Sequence, residues 1–409
     1  MNIVLEPGAA ALLDALHRAG FGAYAVGGCV RDSLLGLAPY DWDLCTAARP
    51  GQVMELFGED RCIPTGLQHG TVTVKRDGKL YEITTFRTEG RYSDGRHPDS
   101  VAFVPDLRED LARRDFTINA MAYSAEEGLC DPFGGREDLA RGVVRAVGEP
   151  LRRFGEDALR ILRLYRFAAR FGFAIDEATE AAAKQLASHL DCVSAERIEE
   201  ELNKLLAAPQ PGAYLEPEVL AFVLPELPPE ELTKARRRID ALPAGTEQVS
   251  ARWAALLLPL GETGARKALK RLKCSNARID GAAALVRECG EKTPDALDKC
   301  DLRLQAKRLL GKYDLHTVQQ LTALWTALAP EEKASFDALR AEAEALTAQG
   351  VCCRISQLAV NGRDLMAAGA APGPGLRRVL EALLEEVITG RLPNEKTELL
   401  AFAAGFSAS

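Results

Sequence analysis

The stretch Gly27-Gly28-Cys29-Val30-Arg31-Asp32, followed by Asp41-Trp42-Asp43, determines which fold and which chemistry this chain can support. It follows a short apolar run, Tyr24 to Val26, that predicts a strand. Two glycines after a strand let the backbone pass close to a ligand, and a helix predicted from Val30 to Leu35 directs its N-terminal amides at an anion, usually a phosphate. Arg31 adds a planar, charged guanidinium group, which can bind a phosphate through two N–H groups. The stretch therefore predicts a phosphate-binding turn that includes Gly28 and Arg31.

The two carboxylates of Asp41 and Asp43 predict a cation site. Polar and apolar side chains alternate from Asp41 to Leu44, and this pattern predicts a strand from Asp41 to Cys45. Residues i and i+2 of a strand point to one face of the sheet. Two carboxylates on one face repel each other unless a cation lies between them, and hard oxygen ligands suit Mg²⁺ with substrate phosphates. The alternative is a solvated edge strand that happens to carry two acids.

Glu82 is the candidate for a third carboxylate, which two-metal phosphoryl or nucleotidyl transfer often uses. Asp77-Gly78 joins two strand-like runs, 71–76 and 79–86, and is a strong signal for a two-residue hairpin turn. Glu82 lies on the second of these runs, where a lone carboxylate is costly unless it is paired or bound to a metal. The alternative is a simple ion pair with Lys79 or Arg87.

Two further segments carry charges that suit a nucleotide. In Arg113-Arg114-Asp115-Phe116-Thr117-Ile118-Asn119-Ala120, paired arginines can hold phosphates, while the carboxylate orients an arginine or accepts from a ribose hydroxyl. A surface charge cluster at the start of a helix is the alternative for this octapeptide.

The second segment runs from Glu156 to Arg166 and predicts a helix with charges at steps of three: Asp157, Arg160, Arg163 and Arg166. Cytosine and adenine share an amino donor beside a ring-nitrogen acceptor, and uracil and guanine present the reverse. Asp157 accepting and Arg160 donating would therefore select C and A, because wrong pairing leaves buried polar groups unsatisfied. The alternative is an exposed ion pair worth about 0.3 kcal/mol.

Composition excludes several classes of protein. The 409 residues carry 51 Lys and Arg against 59 Asp and Glu, a net charge of −8, which argues against a protein that coats nucleic acid over its whole surface but allows a local basic groove. The 10 cysteines form no C-x-x-C pair, which argues against a zinc site and for buried thiols in a reducing cytosol. The chain shows neither a secretory signal nor an apolar run long enough for a membrane span.

The character of the chain changes after Pro150, where strand signals nearly vanish and helical periodicity continues to the end. This pattern predicts an α+β architecture, in which a mixed head carries a long helical extension. The predicted domains are a catalytic head at 1–150, a helical neck at 151–210, a body at 211–310 and a tail at 311–409.

Taken in order, the segments resemble the conserved motifs of the class II tRNA nucleotidyltransferase and poly(A) polymerase family. The glycine-arginine-aspartate stretch with Asp-x-Asp is similar to motif A, the arginine pair segment to motif B, and Glu156-Asp157-x-x-Arg160 to motif D. Two more segments resemble motifs C and E: Asp131-x-x-Gly134-Gly135-x-x-Asp138-Leu139 and Glu196-Arg197-Ile198-x-x-Glu201-Leu202. Residues 360–366 resemble the tail of bacterial CCA-adding enzymes. Each motif alone is weak evidence for this family, but five motifs in this order are specific to it.

The resemblance implies a DNA-polymerase-beta-like head followed by helical neck, body and tail. It implies template-independent addition of C, C and A to tRNA 3′ ends from CTP and ATP with Mg²⁺, in the cytoplasm and with tRNA bound in part by the tail. Carried onto this chain, it assigns metal binding to Asp41 and Asp43. It assigns nucleotide binding to Gly28, Arg31, Arg114, Asp115, Asp157, Arg160, Arg163 and Arg166.

Within the family, the alternatives are CC-only addition, A-only addition and poly(A) synthesis. The segment Arg87–Asp99 resembles the flexible loop that CC-only enzymes shorten or lack, which favours full CCA addition. Two other classes were weighed. A non-catalytic RNA-binding protein would not need the Asp41 and Asp43 pair, and a dinucleotide-binding oxidoreductase would need a G-x-G-x-x-G spacing that this chain lacks.

Overall fold

A computed structural model of the chain describes residues 3–90, 101–291 and 301–406. The chain forms two compact units: residues 1–230 with 271–273, and residues 231–270 with 274–409. The boundaries predicted at 150, 210 and 310 subdivide these units and stay predictions.

The first unit is built around a seven-stranded mixed sheet with the strand order β3-β4-β5-β2-β1-β8-β9. Its pairs are antiparallel except for the parallel pair β2–β5. The seven strands are β1 (Ala23–Val26), β2 (Leu44–Thr46), β3 (Cys62–Gly66), β4 (Thr71–Arg76), β5 (Lys79–Thr85), β8 (Ala122–Ser124) and β9 (Gly128–Cys130). Two short ribbons complete the strands: β6 (Arg87–Glu89) with β7 (Val101–Phe103), and β10 (Val143–Val144) with β11 (Ala174–Ile175).

Ten helices accompany this sheet in the described part of the first unit. They are α1 (Pro7–Arg18), α2 (Gly28–Leu34), α3 (Pro50–Phe57), α4 (Leu107–Ala112), α5 (Gly135–Arg141), α6 (Pro150–Glu156), α7 (Leu159–Phe171), α8 (Glu177–Gln185), α9 (Ala195–Leu206) and α10 (Pro217–Val223). The predicted mixed head followed by helices is therefore confirmed for this part of the chain.

The hairpin predicted at Asp77-Gly78 is confirmed. Strands β4 and β5 pair in register from Arg76 opposite Lys79 inward. Both turn residues have positive φ, 50° for Asp77 and 77° for Gly78. A two-residue hairpin turn of this kind matches the twist of the strands, and Asp-Gly adopts it at low cost. The turn sets the register that places Glu82.

The two faces of the sheet have different roles. On one face, Tyr81 donates to Glu6 at the start of α1, which also receives Lys79 at 2.9 Å. On the other face, Val26 and Cys45 form a buried cluster with Leu107 and Leu111 of α4. Side chains alternate between the faces along a strand, so Glu82 lies on the face opposite to α1.

The strand predicted from Asp41 to Cys45 begins later than expected. Strand β2 starts at Leu44, and Asp41 to Asp43 form an extended segment in front of it. The amide of Val26 still donates to the carbonyl of Asp43 at 3.0 Å, so the pairing with β1 continues one residue beyond the strand. The pairing therefore holds the backbone of Asp43 at the N-terminal end of β2, and Asp41 lies two residues before Asp43.

The second unit is helical throughout its described residues. Its helices are α11 (Leu232–Asp240), α12 (Val249–Leu257), α13 (Gly261–Arg271), α14 (Asn276–Glu291), α15 (Leu302–Lys312), α16 (Leu315–Leu328), α17 (Lys333–Ala348), α18 (Gly362–Ala367), α19 (Pro374–Ile388) and α20 (Lys396–Phe406). Helix α17 packs against α15 and α16, and the last three helices share an apolar cluster around Leu365, Leu383 and Leu399. Within the described ranges, we find no helix with the length and hydropathy that a membrane span requires.

Gly135 generates a prediction about stability. A Cβ added to Gly135 would lie 2.2 Å from the carbonyl oxygen of Thr117, so Gly135→Ala must push α5 away from the turn at Thr117–Asn119. We expect the free energy of unfolding to fall by about 1–3 kcal/mol, as for other overpacked sites. Urea unfolding followed by tryptophan fluorescence measures this change.

The matched control is Gly51→Ala in helix α3, where an added Cβ meets no atom within 4 Å. It should leave the free energy of unfolding unchanged or raise it by up to about 1 kcal/mol. Equal effects of the two substitutions would contradict the steric argument.

Candidate active site

Strand pairing brings the carboxylates of Asp43 and Glu82 to the same face of the sheet. Leu44 of β2 lies opposite Ile83 of β5 in a parallel pair, and both side chains are buried against the α1 face. The residue before each of them, Asp43 and Glu82, therefore points to the other face. Asp43 and Glu82 are far apart in the chain, and this pairing brings them into one electrostatic environment.

The pKa of Asp43 reports this proximity. Crowding by protein atoms, followed by the charges of Asp41 and Glu82, raises the pKa of Asp43 to about 6, and Arg114 opposes the rise. The charges of its two acidic neighbours disfavour the charged form of Asp43, and a bound cation would relieve this repulsion.

The donor set fits a hard divalent cation. Among residues 3–90, 101–291 and 301–406, no group of three or more His, Cys, Asp or Glu side chains is already arranged around one point to hold a metal. A small cation with oxygen ligands is bound by one or two carboxylates together with substrate phosphates, and Asp41 and Asp43 supply that pair. Lys79 is not the partner of Glu82, because its ammonium group contacts Glu6.

Gly27 makes room for Arg114 beside these carboxylates. Gly27 has a φ of 77°, and a Cβ there would lie 2.8 Å from Nη1 of Arg114. Any larger residue would therefore be strained and would displace the guanidinium. Gly28, the predicted phosphate contact, is the first residue of α2.

Arg31 is buried, in contrast to the expectation of an open, ligand-facing fork. Its Nε donates to Asp32 at 2.8 Å, Nη1 donates to Asn119, and the guanidinium lies 5.2 Å and 4.9 Å from the ring centroids of Phe167 and Phe171. The side chain thus ties α2 to α7 in this structure. Its predicted contact with a triphosphate stays a prediction and would require an exchange of these partners.

Asp110 holds the arginine pair, and the sequence analysis did not single it out. Its fully buried carboxylate accepts from Nε and Nη2 of Arg113 at 3.0 and 2.8 Å and from Nη2 of Arg114 at 3.4 Å. The Nε of Arg114 is buried and has no hydrogen-bond partner among the residues that the structure describes. A buried donor of this kind has a cost unless a ligand satisfies it, which suits a role in binding phosphate.

Asp115 connects this segment to helix α7. Its carboxylate accepts hydrogen bonds from Nε and Nη2 of Arg163 at 2.8 and 2.6 Å and from the side-chain Nδ2 of Asn119 at 3.0 Å. Burial alone would raise the pKa of Asp115, but the charge of Arg163 and the Asn119 hydrogen bond hold it well below the usual range. Although burial disfavours the Arg163 cation, the charges of Asp115 and Glu201 raise the pKa of Arg163.

Asp157 and Arg160 do not lie on one continuous helix, which corrects the sequence prediction. Helix α6 ends at Glu156, Asp157 has a φ of −146°, and α7 begins at Leu159. Asp157 accepts from the backbone of Leu159 at 3.0 Å and from Arg197 of α9 at 2.8 Å. Arg160 donates to Glu156 at 2.8 Å, so the exposed Asp157–Arg160 ion pair weighed above is not formed.

Arg166, the last predicted base or phosphate contact, pairs with an acid of α9. Its Nε donates to Glu201 of α9, and its guanidinium lies 3.9 Å from the centroid of the Phe167 ring. Burial lowers the pKa of Arg166. Arg163 also lies near Glu201, at 3.8 Å, so this acid contacts both arginines. The ligand contact predicted for Arg166 stays a prediction.

Five of the predicted residues line one cleft with a volume of about 270 Å³. They are Arg114, Asp115, Asp157, Arg160 and Arg163. The lining also includes Arg113, Leu159 and Arg197, which were part of the motifs but not predicted as site residues. Five arginines against two aspartates make the cleft attractive to an anion. Arg114 links it to the carboxylates, because its charge acts on Asp43.

The sequence matches three protein families along its length. Residues 23–145 match the Poly A polymerase head domain, and residues 245–403 match a tRNA nucleotidyltransferase domain 2. Residues 172–228 match a family described as an RNA- and SrmB-binding site of polymerase A. These matches cover the strands of the head, helices α8 to α10 and most of the second unit.

Relatives are similar over nearly the whole chain. The CCA-adding enzyme of Limosilactobacillus fermentum is 38% identical over 408 residues, covering 96% of this chain and 95% of the relative. That of Geobacillus stearothermophilus is 37% identical, with the same coverage of 96% and 95%. The crystal structure of the Bacillus stearothermophilus CCA-adding enzyme in complex with CTP superimposes with a TM-score of 0.81 at 33% identity, covering 99% of this chain and 98% of that one.

The contact between Asp115 and Arg163 generates a prediction about stability and pH. We expect Asp115→Asn to lower the free energy of unfolding at pH 7 by about 1–3 kcal/mol, because it removes a charged hydrogen bond to a buried group. The pKa of an aspartate in the unfolded chain is about 3.9. A carboxylate whose pKa is lower in the folded state stabilises that state at pH values above about 3.9 and loses this effect as the pH falls below it. The difference between wild type and variant should therefore shrink below about pH 4.

Urea unfolding at a series of pH values between 3 and 8 measures this difference. Asp14→Asn, at an exposed position of α1, is the control and should change the stability little at any pH. A difference between wild type and Asp115→Asn that stays constant down to pH 3 would show that the charge of Asp115 is not what stabilises the cleft.

Proposed function

The chain belongs to the family of CCA-adding enzymes, and we propose from this premise that it adds C, C and A to the 3′ end of tRNA, using CTP and ATP and no nucleic-acid template. The observation that carries the proposal is the cleft, where groups suited to a base, a ribose and phosphates lie together beside paired carboxylates. A protein that binds RNA without catalysis would not need acidic side chains, such as Asp41 and Asp43, placed close enough to repel each other.

Family members generally use a divalent metal, and we propose Mg²⁺ for this chain, held by Asp41 and Asp43. When bound, it would lower the pKa of the attacking 3′-hydroxyl and stabilise the pyrophosphate that leaves. Glu82 acts on Asp43 electrostatically and is proposed as the third carboxylate. The chain itself holds these acids on one face of the sheet, so that hydroxyl and α-phosphorus meet there.

Arg114 and the turn at Gly28 are proposed to bind the triphosphate. The buried Nε of Arg114 and its place against Gly27 direct the guanidinium along the path between the cleft and the carboxylates. Asp115 is proposed to accept from a ribose hydroxyl, since a carboxylate can accept about four hydrogen bonds. Arg163 holds Asp115 in place for this role.

Asp157 and Arg160 are proposed to read the base. Each oxygen of Asp157 accepts one hydrogen bond within the described chain, from Leu159 and from Arg197, and so has room to accept another from an exocyclic amino group. Arg160 donates to Glu156 and to the carbonyls of Arg153 and Arg113, which orients it and leaves two of its five N–H groups for a ring nitrogen. This arrangement accepts C and A and disfavours U and G.

The remaining assignments complete the proposal. The neck (151–210), body (211–310) and tail (311–409) are proposed as separate parts of the chain, with the tail contacting tRNA. We place the reaction in the cytoplasm, where free thiols persist and where tRNA would be matured. The cysteines of the described residues are all free.

The proposed activity is tested with three tRNA transcripts that end at the discriminator base, at C and at CC, each incubated with Mg²⁺ and single nucleotides. We expect two additions from CTP on the first transcript, one from ATP on the CC form, and no further extension. Long A tails would make the chain a poly(A) polymerase. Arrest after CC, or activity on the CC form alone, would make it a partial enzyme.

Asp41→Ala, with exposed Asp14→Ala as the matched control, tests the metal assignment in the same assay. We expect Asp41→Ala to lower the rate by about a thousand-fold or more, since the variant loses a ligand to the ion that stabilises the reacting charges. Its tRNA affinity, measured by filter binding, should stay within about two-fold of wild type. Normal incorporation by Asp41→Ala would overturn the assignment.

The segment Arg87–Asp99 is proposed to move the base-reading groups from accepting C to accepting A. It begins with β6, whose partner β7 follows the segment in the chain, and residues 91–99 lie outside the described residues. Replacing residues 91–99 by a short Gly-Ser turn should preserve both C additions and slow A addition by at least about ten-fold, a loss of about 1.4 kcal/mol of transition-state stabilisation.

A Gly-Ser replacement of unchanged length serves as the control that separates loop length from loop sequence. Both variants are assayed on the transcripts ending at the discriminator base and at CC. If the shortened variant completes CCA at the wild-type rate, the loop does not change the specificity of the cleft.

A further inference from the structure

Tyr40 is a large aromatic side chain that the protein leaves in solvent. Its relative exposed area is 101%, the highest of the exposed large apolar side chains within residues 3–90, 101–291 and 301–406. The preceding residues, Gly36 to Ala38, are exposed as well, so this turn does not cover the ring. An aromatic ring ordinarily stabilises a protein by being buried. Tyr40 contributes no such packing and is free to contact a ligand.

The position of Tyr40 relates it to the reaction. It occupies the bend directly before the extended segment Asp41–Asp43, and consecutive Cα atoms lie about 3.8 Å apart. A nucleotide whose 3′-hydroxyl is held at these carboxylates therefore has its base within reach of the ring. The cleft proposed for the incoming nucleotide is lined by other residues, so the two bases would occupy separate surfaces.

The chemistry of the substrate favours stacking at this place. The proposed reaction presents three successive 3′ ends to the same carboxylates: a discriminator base, then a C, then a second C. A site that formed hydrogen bonds with the edge of one of these bases would leave its own polar groups unpaired when another base occupied it. An aromatic face tolerates every base, because every base has a π face.

We infer that Tyr40 is the stacking surface for the base at the 3′ end of bound tRNA, and that it positions the attacking 3′-hydroxyl at Asp41 and Asp43. The inference rests on the proposed function and adds to it the surface that receives the terminal nucleotide. Single-stranded RNA ends are commonly bound by stacking on aromatic side chains. The full exposure of Tyr40 means that its replacement should not disturb the fold.

Fluorescence tests the stacking directly. A tRNA transcript carries 2-aminopurine as its discriminator base, and its emission is recorded with saturating protein and no nucleotide. We expect wild type to quench the emission, Tyr40→Ala to abolish the quenching, and Tyr40→Phe and Tyr40→Trp to restore it. The control is Val4→Ala, an exposed apolar position (88% exposed) next to α1 on the opposite face of the sheet, which should quench as wild type does.

Single-turnover addition of C to the same end tests the consequence. Tyr40→Ala should lower the rate of addition about ten-fold, while the KM for CTP stays within about two-fold of wild type. Tyr40→Phe should rescue the rate. Equal losses in Tyr40→Ala and Tyr40→Phe would assign the effect to the hydroxyl and overturn the inference.

The outcomes separate this inference from the proposed function. A wild-type protein that completes CCA, together with a Tyr40→Ala variant that quenches and reacts normally, overturns the inference alone. A wild-type protein that adds no nucleotide to any of the three transcripts overturns the proposed function and the inference with it.

Discussion

The candidate active site depends on one ion pair, between the buried Asp115 and the half-buried Arg163. Asp115 follows the arginine pair of the head, and Arg163 lies on α7, 48 residues further along the chain. Two short charged hydrogen bonds join them, and the carboxylate of Asp115 is the more deeply buried of the two groups. A buried charge without a partner costs several kcal/mol, so neither residue can move independently. The pair therefore fixes one wall of the cleft against the other.

Around this pair, a small number of residues keep a dense group of arginines in defined positions. The ring of Phe167 lies within 5.3 Å of the guanidinium groups of Arg31, Arg163 and Arg166. Glu201, Glu156 and Asp110 each accept from at least one arginine. Cation–π contacts and buried carboxylates together offset the repulsion between neighbouring cations. The positive cleft thus exists because acids and an aromatic ring behind it hold the arginines in place.

In contrast to the positive cleft, the face of the sheet that carries Asp43 and Glu82 is negatively charged. Desolvation and then the charges of Asp41 and Glu82 raise the pKa of Asp43, and the charge of Arg114 only partly opposes this rise. Repulsion of this kind lowers stability and is retained in proteins where a ligand relieves it. A cation and a triphosphate would complement both halves of the site, the ion at the acids and the phosphates towards the arginines. Tyr40, exposed beside the acids, would then receive the other substrate.

The sequence by itself determined the features that depend on neighbours along the chain. The Asp77-Gly78 turn, the alternation that puts Glu82 on one face, and the order of the motifs that identify the family were readable because each is a rule acting over a few residues. Tertiary structure decided which charges meet: Arg197 pairs with Asp157, Glu201 with Arg166, and Asp110 with both arginines of the motif. It also buried Arg31 and broke the helix at Asp157. These partners lie on different elements, and their free energy of interaction depends on burial and distance, which no local pattern specifies.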